Sequence, residues 1–106
     1  MPDVTKEVTS TKDLYHGHVV VSVTAISLCG SFPTKRGVML RTPGPEDPVP
    51  NTVPVWVGRS TVTADSAATG GFPLKPGASL FMPVDDPSGI FVISTTGGQD
   101  IAWIGV

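Results

Sequence analysis

The apolar positions of this chain alternate in short runs with a period of two, and no run carries the 3.6-residue stripe of an amphipathic helix. In residues 14–29, which are rich in β-branched side chains, Val19, Val21 and Val23 share one face and Ser22 and Thr24 the other. The parity then shifts, because Ile26 and Leu28 fall on the opposite positions. A bulge near Ala25 would return both sets to one core; the alternative is a strand that moves between sheets. In residues 37–42, Val38 and Leu40 alternate with Met39 and Arg41. In residues 53–58, Val53, Val55 and Val57 face one way and Trp56 the other, with Pro54 marking a strand start or an edge. Residues 59–64 read as a continued extended segment, and 65–71 as a small polar loop. Leu80, Met82 and Val84 then point inward while Ser79 and Phe81 point outward. Residues 90–94 are apolar on both faces, as expected of a central strand covered twice. Residues 95–98 read as a hairpin loop into a return strand, where Ile101 and Trp103 share one face and Ala102, Ile104 and Val106 the other.

Turn chemistry separates these runs. Gly30 and Pro33 end the first, Pro76 and Gly77 form a proline–glycine turn, and Asp85, Asp86, Pro87, Ser88 and Gly89 form another. Residues 43–50 hold four prolines, which donate nothing to a ladder and fix their own φ, so this segment is expected to be an exposed, stiff loop. The spacing predicts an all-β fold, a small antiparallel β-sandwich or jelly-roll-like barrel of about seven short strands. Residues 1–13 are polar and Thr-rich without periodicity, and read as a flexible N-terminal arm before a single β-sandwich domain, 14–106. The chain stops inside its last expected strand.

Composition narrows the partners. Charged residues make up 15% of the 106, against about a quarter in an average domain, which leaves a neutral surface that is cheap to desolvate against another protein. A formal charge of −2 with no basic cluster argues against nucleic acid. The single cysteine, Cys29, excludes an intrachain disulfide and fits synthesis in a reducing cytoplasm. The N-terminus lacks an apolar run of signal-peptide length, and no segment reads as spanning a bilayer, so no membrane partner is expected.

The chain holds no phosphate-binding loop, dinucleotide fingerprint, paired CxxC, HExxH or nucleophile elbow. His16 and His18 project from one face of a strand and would approach one metal if a third ligand were supplied; the plainer reading is a surface or interface pair. Asp85, Asp86 and Asp100 offer oxygens to calcium, but Asp before Pro, Ser and Gly is ordinary turn chemistry. Cys29 with either histidine would make a nucleophile pair, although a cysteine ending an apolar strand is usually a small buried hydrophobe. No catalytic residue, metal or cofactor is assigned, and the expectation is a protein that is not an enzyme. Trp56, Phe81 and Phe91 lie opposite the main aliphatic set of their strands, either as second-face core or as an apolar outer surface. Trp56, Phe81, Trp103, His16 and His18 are the candidate subunit or partner contacts. A sugar-stacking platform of Trp56, Trp103 and the proline loop is the rival reading.

The run Val-Trp-Val-Gly at 55–58 is followed by Thr-Val-Thr at 61–63, Gly-Phe-Pro-Leu at 71–74, Lys-Pro-Gly at 75–77, Ser79 and Leu80, Asp86, Ile-Phe-Val-Ile-Ser at 90–94 and Trp103. In this order the second half of the chain, residues 53–106, resembles small virion proteins of tailed bacteriophages. The resemblance implies a non-enzymatic β-sandwich assembled in many copies on the virion after synthesis in the host cytoplasm. A capsid decoration or cement protein is the leading expectation, as a homo-oligomer such as a trimer that contacts the major capsid protein or another virion protein. The alternative it implies is a tail or neck accessory module that recognises a surface glycan.

Overall fold

The computed structural model describes residues 14–106; the expected arm, 1–13, lies outside the described residues. Eight strands follow in order: β1 (Tyr15–Val21), β2 (Ile26–Ser27), β3 (Val38–Arg41), β4 (Val55–Gly58), β5 (Phe72–Leu74), β6 (Ser79–Met82), β7 (Phe91–Ser94) and β8 (Gln99–Gly105). They form two four-stranded sheets, β1-β8-β3-β6 and β2-β7-β4-β5, in which every strand pair is antiparallel. The first four strands pair with the last four in reverse: β1 with β8, β2 with β7, β3 with β6 and β4 with β5. The chain is therefore one long hairpin wrapped over itself. The β3–β8 and β4–β7 pairings then close the two sheets, giving a jelly roll.

The alternation read from the sequence decides what fills the space between the sheets. Val38 and Leu40 of β3, Ile101 of β8, Val55 and Val57 of β4, Leu74 of β5 and Val92 of β7 are all buried in one cluster with Val21, Leu28 and Ile90. Each such aliphatic side chain contributes roughly 1.5–3 kcal/mol on burial, set against a chain entropy of similar total size. The intervening residues Met39, Arg41, Phe81 and Ala102 face solvent, as their parity requires.

Two expectations are corrected in detail, one open alternative is decided and one strand is added. Residues 14–29 are not one bulged strand but follow the alternative, a strand that moves between sheets: β1 ends at Val21, the chain bends, and β2 begins in the other sheet, so the parity shift records a change of sheet. The Ser22 hydroxyl accepts from Thr24 N–H at 3.2 Å and fixes that bend, which leaves Val23 61% exposed rather than beside Val19 and Val21. Residues 95–98 are not a hairpin loop either, because β7 and β8 belong to different sheets. Gly98, at φ +80°, turns the chain, and the Gln99 side chain accepts from Thr52 N–H at 2.8 Å across the gap. Residues 59–64 form a loop that touches a ladder only through the Thr63–Gly70 bridge. Finally, the Phe-Pro-Leu run, given no strand from the sequence, is the edge strand β5, where Pro73 is tolerated because an edge needs fewer donors.

The proline loop is exposed at Pro45, Pro48 and Pro50, yet it is tied at both ends. Asp47 accepts from Gly44 N–H at 2.7 Å and from Arg41 at 3.1 Å. Asn51, buried, docks onto β8.

Candidate functional site

The strand registers line up the outer face of the β1-β8-β3-β6 sheet. His16 of β1 lies opposite Ile104 of β8, Ile104 opposite Met39 of β3, and Met39 opposite Phe81 of β6. The three apolar members of this row are 41%, 40% and 43% exposed in that order, so an unbroken apolar stripe crosses three strands in contact with water. The next row is smaller and more polar: His18, Ala102, Arg41, Ser79. A shallow cleft of about 240 Å³ lies between the rows, lined by Met39, Arg41, Ala102, Trp103 and Ile104. Side chains opposite one another across antiparallel strands sit about 4.5–5.5 Å apart at Cβ, so the stripe behaves as one surface.

The edges of the two sheets differ in how they are protected. β2 has two residues, β5 carries Pro73, and β6 runs into Pro83. β1 has seven residues with no proline and no Lys, Arg, Asp or Glu. Short length, prolines and charges are the usual devices that stop an edge from pairing with another chain, and β1 has none of them.

The predicted contact residues therefore divide among three places. His16, His18 and Phe81 share the outer face just described. Trp56 lies on the outside of the opposite sheet, half-buried between its cross-strand neighbours Pro73 and Ile93. Trp103 points inward. Its ring stacks on Phe32 at a centroid distance of 5.2 Å, and Phe32 stacks in turn on Tyr15 at 4.3 Å. Trp56, Trp103 and the proline loop do not converge into one platform. Met39 and Ile104 complete the stripe and were not among the contacts expected from the sequence; their outward parity was readable, but which strands lie side by side was not.

The metal and nucleophile constellations are placed as follows. His16 and His18 do share a face, and the His18 Nδ1 lies 3.2 Å from Asp100 Oδ1. Asp86 is spent elsewhere: it caps the 3-10 turn Pro87–Gly89 through Ser88 N–H and accepts from the Ser31 hydroxyl at 2.6 Å. Those hydrogen bonds, Ser31 first, hold its carboxyl below the ordinary range. Among the described residues no three His, Cys, Asp or Glu side chains are grouped to hold a metal ion. Cys29 packs against the core, and burial, helped by the Asp86 carboxylate, pushes its thiol pKa up, the opposite of what activates a nucleophile.

A second cleft lies at the tip of the long hairpin, between the end of β4 and the start of β5. Its volume is about 260 Å³, and its walls include Arg59, Thr61, Val62, Thr69, Gly71 and Phe72. Nothing in the spacing of these residues marks them in advance, because the loop's own fold brings them together. No family model, no curated protein and no solved structure matches the chain.

Proposed function

We propose that this protein is a non-enzymatic structural component of a phage particle, a decoration or cement protein present in many copies. The observation that carries the reading is the Ile104–Met39–Phe81 stripe, which would be buried between copies of the protein. The low charge density favours the same use, since few ions need desolvating at the contact. The jelly roll is a frequent architecture of capsid proteins, an argument by analogy of fold that adds to the resemblance of residues 53–106. The β1 edge, which carries no proline or charge, offers a second means of joining copies, by continuing the sheet from one subunit into the next.

In this reading Phe81 is buried as the end of the stripe, His16 flanks it beyond Ile104, Trp56 lies outside the contact, and Trp103 supports it from within. The test is quantitative mass spectrometry of purified particles assembled with wild-type protein or with Phe81→Ser. Many copies per particle, with a several-fold loss for the variant, are expected. Absence from particles, or full occupancy by the variant, would remove the stripe from the mechanism.

A further inference from the structure

We infer that the cleft at the β4–β5 tip is a binding site for a carboxylate-bearing saccharide, with Arg59 taking the carboxylate and Phe72 the apolar face of the sugar ring. The inference is independent of the stripe and of the assembly reading.

Arg59 is exposed, and among the described residues it has no carboxylate partner, whereas the other arginine nearest a sheet face, Arg41, is neutralised by Asp47. The nearby Asp65 carboxylate is not part of the cleft wall and is committed to the Thr63 hydroxyl and Ala67 N–H, both at 2.9 Å. A guanidinium carried by a residue of the cleft wall supplies a planar fork of donors that matches a carboxylate. Phe72 has the parity of buried Leu74, yet it lies at the end of an edge strand beyond the core and is 57% exposed. The negative face of its ring suits the slightly positive C–H face of a pyranose. The Thr61 hydroxyl in the same wall can donate to or accept from ring hydroxyls, and the Thr69 hydroxyl, which donates to Thr63 Oγ1 at 3.0 Å, can accept from them.

The cleft is built rather than incidental. Val62 is buried as its floor, and a Cβ at Gly58 or Gly71 would come within 2.8 or 2.5 Å of Val62 Cγ2, so both positions must be bare. The loop is cross-braced by hydrogen bonds from Val62 to Arg59 (2.8 Å), Thr63 to Thr69 (2.9 Å) and Gly71 to Thr63 (3.0 Å). Such bracing lowers the ordering cost of binding. The volume, about 260 Å³, lies just below the range for drug-sized ligands and suits a single sugar residue. One cation in the wall selects one negative group, not a polyanion such as nucleic acid.

The test is titration of the ¹⁵N-labelled full chain with methyl glucuronide, N-acetylneuraminate, methyl glucoside and inorganic sulfate, each separately. Shifts confined to residues 58–72 with either acidic sugar, weak or absent with glucoside and sulfate, are expected; which acid gives them separates a uronate from a sialate source. Arg59→Met should weaken binding about tenfold or more, and Phe72→Ala several-fold, while Lys75→Met, which removes a charge outside the cleft, should leave it unchanged. Unaltered amide spectra outside the loop will show that each variant folds. No response to either acidic sugar at millimolar concentration, equal response to glucoside or sulfate, or retained binding by Arg59→Met would overturn the assignment.

Discussion

The side-chain amide of Asn51 exchanges two hydrogen bonds of 2.8 Å with the backbone of Asp100, donating from Nδ2 to its carbonyl and accepting at Oδ1 from its N–H. Asn51 thereby acts as one extra residue of ladder at the start of β8 and anchors the end of the proline loop. Its neighbour in the junction is Gln99, whose Oε1 accepts from the N–H groups of Thr52 and Val53. Asn51 and Gln99 are both buried, and both amides are satisfied.

Asn51→Ala strands a donor and an acceptor on half-buried Asp100 and should cost about 1–3 kcal/mol, as read by urea denaturation. Asn51→Asp keeps the acceptor but turns an oxygen toward the Asp100 carbonyl, so it should be no better than alanine. A loss below a few tenths of a kcal/mol for both would show that water replaces the amide without penalty.

The Tyr15–Phe32–Trp103 stack depends on two bare positions beneath it. A Cβ at Gly17 would come within 2.9 Å of Trp103 Cζ2, and one at Gly105 within 2.7 Å of Phe32 Cε1. Gly17→Ala should therefore displace the indole, at a cost of about 1–3 kcal/mol for overpacking. A shifted indole N–H signal for Trp103, with that of Trp56 unchanged, checks this directly.

Asp47 and Asp86 give the fold an acid limit. Asp47 is held below the ordinary carboxylate range by Gly44 N–H first and then by Arg41, and Asp86 by the Ser31 hydroxyl first. A depressed folded pKa means that the unfolded chain binds protons first on acidification. The stabilisation is present above the unfolded value, about 4, and is lost as pH falls through the folded values. The melting temperature should drop below about pH 4, and each of Asp47→Asn and Asp86→Asn should flatten the drop slightly, since both groups are at the surface. A melting temperature independent of pH down to about 2.5 would contradict this.

Cys29 should react slowly with a thiol reagent at neutral pH, because burial and the Asp86 carboxylate both disfavour the thiolate. Asp86→Asn removes the second of these and should speed the reaction modestly; a fast reaction in the wild type would show that the site opens readily.

Much of this architecture is legible in the sequence, and the part that is not has a physical reason. The inward set Val38, Leu40, Val55, Val57, Ile101 follows from period-two alternation, because a pleated strand leaves each side chain only two directions. What a turn does not encode is the partner of the strand that follows it. The Gly97–Gly98 turn reverses the chain as a hairpin turn would, yet it delivers β8 to the other sheet, beside β1 and β3. The same limit hid the stripe: Phe81 was named from parity, but its alignment with Met39 and Ile104 depends on pairings between residues far apart in the chain. Arg59 and Phe72 carried no signal, since thirteen positions separate them and only the folded loop makes them walls of one cleft.

The central claim, that the Ile104–Met39–Phe81 stripe joins copies of this protein, is tested most directly by sedimentation velocity of the full chain at micromolar concentrations, beside Phe81→Ser and Met39→Ser. A wild-type mass that is a multiple of the chain mass, falling to the monomer in both variants with the fold intact, is the predicted result. A wild type that sediments as a monomer at every concentration, or variants that keep the wild-type mass, would contradict it.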